Sequence, residues 1–116
     1  MSEAAVREWA PELEQYLITE DKLPKDLVGP VFMKRELAIY ATLAIAEDNP
    51  DTFVGVLDRG LYIRVVGNKR LTLRRRTLED LAGRAVRFPG EVEEMMSAFA
   101  VKIRVTGEEI LWYLEL

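Results

Sequence analysis

Neither histidine nor cysteine occurs in these 116 residues. Their absence excludes disulfides, thiolate nucleophiles, the usual zinc ligand sets and the commonest general base. The only serines, Ser2 and Ser97, have no histidine to activate them. No glycine-rich nucleotide-binding pattern is present, and Glu93 and Glu94 sit at adjacent helix positions that point apart. The chain therefore reads as non-enzymatic, with no cofactor. The acidic turn 47–52 lacks the alternating acids of a calcium loop, so no metal is expected. Asparagine and glutamine are scarce (Asn49, Asn68, Gln15) and arginine outnumbers lysine, a composition associated with thermophiles. The longest apolar run, 37–46, is about half of what a bilayer crossing needs. Acids throughout residues 1–20 exclude a signal peptide, so a cytoplasmic chain is expected.

What is present is an ordinary globular composition, 49% hydrophobic and 31% charged. Its length suits one domain over 1–116, with a helical segment 1–47 and a sheet-containing segment 53–116. The stretch 53–76, FVGVLDRGLYIRVVGNKRLTLRRR, predicts three strands in an antiparallel meander. Leu61, Ile63 and Val65 alternate with Tyr62, Arg64 and Val66, and Leu71 and Leu73 alternate with Thr72 and Arg74. Asp58-Arg59-Gly60 and Gly67-Asn68 supply the turns.

Before the meander, Val6, Trp9, Leu13 and Tyr16/Leu17 recur at helical spacing. Pro11 either kinks that helix or opens a fresh one. Residues 21–30 read as a connector, and Pro30 as the start of a central helix through about Glu47. After the meander, Thr77-Leu78-Glu79-Asp80 resembles a capping box for a short helix ending near Gly83. Residues 91–100 predict a helix with Val92, Met95, Met96 and Phe99 on one face. Two alternating strands follow, 101–106 and 110–116. The predicted fold is α+β, a five-stranded, mainly antiparallel sheet with helices on one face, in the order α-α-β-β-β-α-α-β-β.

From Leu71 onward the chain resembles the sterol carrier protein family. The resemblance rests on Leu78, Glu79, Asp80 and Leu81 in a first helix and on Gly83 at its end. Met96 and Phe99 stand for its second helix and residues 101–107 for an apolar strand ending in glycine. The preceding hairpin, GLYIRVVGNKRLTL, is in keeping. The pattern differs at Ala100, where the family has glycine, and in having no helix after the last strand. The resemblance implies a non-enzymatic binder of lipids or other small apolar ligands, with Met95, Met96, Phe99 and Trp112 as the expected lining.

Two other readings stand beside it. One is a protein–protein interaction module, as a homodimer or a subunit of a complex, using an exposed surface or sheet edge. The other, less favoured, places single-stranded nucleic acid on a basic sheet face formed by Tyr62, Arg64, Arg74, Arg76, Lys102 and Arg104, joined by Tyr113. Charge is unevenly spread. Residues 58–76 carry seven cations against Asp58, whereas residues 1–30 carry seven acids against three cations. Complementation of the two within the fold is the simpler explanation.

Overall fold

The computed structural model, which describes residues 4–115, is α+β, as the patterning predicts. The strands, however, divide between two sheets. The first holds β1 (Leu27–Met33), β2 (Phe53–Arg59), β3 (Tyr62–Asn68) and β5 (Met96–Ala100), in the order β2-β3-β1-β5. The second holds β4 (Arg70–Arg74), β6 (Lys102–Val105) and β7 (Glu109–Tyr113), in the order β4-β7-β6. Every pairing within these sheets is antiparallel.

The predicted meander stops after its first hairpin, and one strand explains why. β1 occupies the free edge of β3, so β4 has nowhere to pair in that sheet. The chain turns at Lys69, which takes a positive φ of 75°, and β4 pairs with β7 instead. The sequence reading placed a connector and a helix start where β1 lies, because Pro30 suits a helix N-terminus. In the structure the ladder to β3 pairs Leu27 and Val28, skips Gly29 and Pro30, and resumes at Val31. A proline can enter an interior strand at such an interruption, where its missing N–H is not needed. Gly29 has φ 131°, and a Cβ there would lie 2.1 Å from the Val65 carbonyl oxygen.

Helices cover the sheets' inner faces. The central helix, α2 (Glu36–Asp48), starts six residues later than predicted and buries Leu37, Ala38, Ala41, Ala44 and Ile45. It packs on β4 and on α3 (Arg75–Ala82). The anticipated capping box does not form, because α3 begins before Thr77. The Thr77 hydroxyl donates instead to Asp48 Oδ2 at 2.6 Å, tying α3 to the end of α2. The last predicted helix is shorter than expected: α4 (Gly90–Met95) ends where β5 begins. Pairing with the open edge of β1 overrides the helical spacing of Met96 and Phe99.

The N-terminal segment follows the second of the two alternatives. The single turn α1 (Val6–Trp9) ends, and Pro11 opens a separate 3₁₀ stretch, Pro11–Tyr16. Val6, Ala10 and Leu13 enter the core with Phe32, Ile63 and Trp112. The segment then runs along the edge of β2, where the Ile18 N–H donates to the Val56 carbonyl at 2.9 Å. Gly55 permits this approach, since a Cβ there would lie 2.6 Å from Ile18 Cγ2 and from the Tyr16 carbonyl oxygen.

The acidic turn after α2 contains a buried clamp. Asn49 Nδ2 donates to the Ile45 carbonyl at 2.8 Å and to the Thr72 carbonyl at 2.7 Å, and its Oδ1 accepts from the Thr72 N–H at 3.0 Å. One amide thus ends the helix and satisfies the outer edge of β4. Asn49→Ala leaves buried backbone groups of Thr72 unpaired, so a loss of roughly 2–4 kcal/mol is expected. The urea midpoint of unfolding measures it, and a loss under about 0.5 kcal/mol would contradict the clamp.

Candidate docking surface

Two exposed regions and one buried latch stand out. The first exposed region is β5, the edge strand of the larger sheet. Its sequence, with the next residue, is MSAFAV, with no charge and no proline to block further pairing. Phe99 is 43% exposed and Val101 49%, so this edge presents an aromatic and an aliphatic side chain to solvent. The second region is the outer face of the smaller sheet. Opposed residues share a face, which places Arg70 and Lys102 beside Tyr113, Arg104 beside Leu111 and Arg74 beside Glu109. The Arg104 guanidinium lies 5.8 Å from the Tyr113 ring centre.

The latch holds the N-terminal segment. Lys34 follows β1 and its side chain is fully buried, yet it is satisfied. Its Nζ lies 2.8 Å from Asp58 Oδ1 and 2.7 Å from the Ala4 carbonyl, and 5.7 Å from the Trp9 ring centre. Asp58 Oδ2 accepts from the Val6 N–H at 3.0 Å, and Oδ1 from the Gly60 N–H at 3.1 Å. Burial pushes the Asp58 carboxyl up, but Lys34 and the two N–H groups outweigh it and hold it below its usual value. Nothing in the sequence marked Lys34, whose role depends on a strand that the reading did not place.

The expected apolar lining does not assemble around a space. Met95 and Trp112 are fully buried in the core, with the Trp112 ring 6.4 Å from Phe32, and Met96 packs at its margin. Trp112 Nε1 is buried without a hydrogen-bond partner among the described residues. Phe99 lies outside on the edge strand. An open cleft of about 1090 Å³ lies instead between residues 17–22 and β2, lined by none of those four residues. Arg59 and Glu20, two of its lining residues, form an ion pair across it.

The predicted basic face is split. Tyr62 and Arg64 are on β3 in the larger sheet, and Arg76 is in α3. Arg74, Lys102, Arg104 and Tyr113 do share the outer face of the smaller sheet, joined by Arg70, which the sequence reading did not select. Alternation along each strand was readable, but membership of different sheets was not.

Comparison with known proteins decides between the readings. Residues 26–113 match the MmoB/DmpM family. The chain belongs to that family. It is 33% identical over 95 residues to the alkene monooxygenase system effector subunit of Xanthobacter autotrophicus (strain ATCC BAA-1158 / Py2), covering 82% of this chain and 93% of that protein. A chain of a solved phenol hydroxylase–regulatory protein complex superposes with a TM-score of 0.67 at 26% identity, covering 77% of this chain and 99% of that one. Another such chain gives 0.60 at 30% identity, covering 72% and 95%. The solved regulatory protein B of soluble methane monooxygenase shares the fold, with a TM-score of 0.58 at 18% identity, covering 85% and 74%.

These findings overturn the sterol-carrier resemblance and, with it, the lipid-binding reading. That resemblance rested on an order of strands and helices, and one of its two helices contains β5. The interaction-module alternative fits better, and a partner protein replaces the small apolar ligand. The chain is non-catalytic, in keeping with a family whose matched members are named effector and regulatory proteins. Among the described residues no helix is long and apolar enough to cross a membrane.

The latch carries a pH signature. The lowered Asp58 value means its stabilisation is present above the unfolded carboxyl value and lost as pH falls through the folded one. Wild type should therefore exceed Asp58→Asn in melting temperature at pH 6, with the gap closing as pH falls from roughly 5 to 3. A gap constant over that range would mean that the carboxylate charge contributes nothing.

Proposed function

We propose that this chain is the effector subunit of a multicomponent monooxygenase, a non-catalytic protein that docks on the hydroxylase component and regulates it. The observation that carries this reading is the 33% identity to an alkene monooxygenase effector subunit across 93% of that protein's length. Chains from phenol hydroxylase–regulatory protein complexes support it through their fold and their 26–30% identity.

The chemistry of the surface agrees with a docking role. With no histidine, cysteine or metal-binding cluster among the described residues, this chain's own groups offer little for catalysis. It does offer the uncharged edge of β5. An edge strand supplies free backbone hydrogen bonds to a partner, and a half-exposed aromatic supplies a central anchor. We assign the hydroxylase component as the occupant of that edge. A second copy of this chain is the competing occupant.

The test is binding of Phe99→Asp to the hydroxylase component purified from the same organism. Phe99 is 43% exposed on an edge strand, so the variant should stay folded with a stability loss of about 1–2 kcal/mol, read separately from its melting temperature. Its affinity should fall by roughly 30-fold, as for an interface anchor. Unchanged affinity would remove the β5 edge from the interface, and failure of wild type to bind would remove the effector reading itself. If the edge instead joins two copies, wild type should dimerise with concentration and Phe99→Asp should not.

A further inference from the structure

We propose that the outer face of the three-stranded sheet is a second, electrostatic docking surface that accepts an acidic patch on the hydroxylase component. This rests on the effector reading above and assigns a role to a face that the β5 edge does not include.

The observation is a concentration of positive charge at odds with the chain as a whole. The protein carries a formal net charge of −4, yet this small sheet presents Arg70, Arg74, Lys102 and Arg104 on one side. β4 and β6 flank β7, so the cations of these two strands face each other about 10 Å apart across Leu111 and Tyr113. Elsewhere Arg59 pairs with Glu20, Arg75 with Glu79 and Glu108, Arg84 with Glu91 and Arg87 with Glu94. Among the described residues, Arg70, Arg74 and Arg104 have no such ion pair. Lys102 pairs with Glu115 at 3.1 Å, with both side chains more than half exposed. Glu109 is the one acid in the ladder positions of this face.

The face is also mixed in character, which selects the class of partner. A shallow depression of about 390 Å³ on this face brings Lys69, Arg70 and Arg104 together with Leu111, Tyr113 and Leu114, and holds Glu109 as its one carboxylate. Its two leucines and tyrosine, beside three cations and one acid, suit a protein surface that presents carboxylates around an apolar contact. Nucleic acid would need a series of stacking aromatics, and this face has one tyrosine in a chain of pI near 5.0.

Exposed charges of this kind act mainly on the rate of encounter and its dependence on salt. An apolar anchor such as Phe99 acts on the rate of dissociation. The two surfaces are thus kinetically separable.

The experiment measures association and dissociation of this chain with the hydroxylase component from the same organism, at 50 and 300 mM salt. Wild type, Arg70→Glu/Arg104→Glu, the milder Arg70→Gln/Arg104→Gln and Phe99→Asp are compared, each with a melting temperature as a folding control. Both arginine variants should associate more slowly, the charge-reversed one by on the order of tenfold at low salt, with a flattened salt dependence. Phe99→Asp should keep wild-type association and dissociate faster. Arginine variants with wild-type association and salt slope would overturn the proposal while leaving the effector reading intact. Absence of wild-type binding would overturn both. Wild-type retention on single-stranded DNA that the arginine variants lose, with hydroxylase binding unaltered, would assign the face to nucleic acid and overturn the protein-docking proposal.

Discussion

The amide of Asn49 holds the two halves of this molecule together. A three-stranded sheet is too small to bury much by itself, and β4 leaves one edge open. The clamp closes that edge at Thr72 while ending α2, so the helix packed on β4 is also tied to it by hydrogen bonds. Phe32 and Trp112 then meet across the interior, one from each sheet. The clamp thus acts with the buried Leu71, Leu73, Ile110 and Trp112 to set how the sheet presenting Arg70, Arg74 and Arg104 sits against the larger one.

A fold arranged this way is suited to display. Its core is filled with Trp112, Phe32, Met95 and aliphatic side chains, leaving no lined chamber where the lipid-binding reading placed one. The buried Lys34–Asp58 pair is spent on fixing the N-terminal segment, since Lys34 also holds the Ala4 carbonyl and Asp58 the Val6 N–H. What remains available to a partner is outside: an uncharged strand edge with one aromatic, and a cationic sheet face with one tyrosine. The first is fitted for lasting contact and the second for fast encounter. A regulatory protein needs both, because it must find its target and then release it.

How much of this was legible in the sequence follows from which interactions are local. Alternation along β3, β4, β6 and β7 was readable, because a strand's pleat depends on its own residues. The α+β class and the non-enzymatic character were readable too, the latter from histidine and cysteine that are missing. Pairing was not readable. Pro30 carries the same signal at a helix start and at an interrupted strand, and only the neighbouring β3 and β5 decide between them. Met95, Met96 and Phe99 share helical spacing, yet Met96 and Phe99 join β5 because β1 has an open edge. Those two misplacements produced the single sheet, the false lining and the sterol-carrier resemblance together. Arg74, Lys102 and Arg104 share one face, whereas Tyr62 and Arg64 lie across a sheet boundary and Arg76 lies beyond the end of β4, in α3.

The most direct measurement is steady-state turnover of the monooxygenase system from the same organism, reconstituted from its other purified components, as this chain is titrated in. As an effector, this chain should change turnover of the system's own substrate until the effect saturates, and alone it should turn over nothing. Turnover unchanged at every ratio, with the hydroxylase shown to be active, would contradict the claim that this protein is its effector.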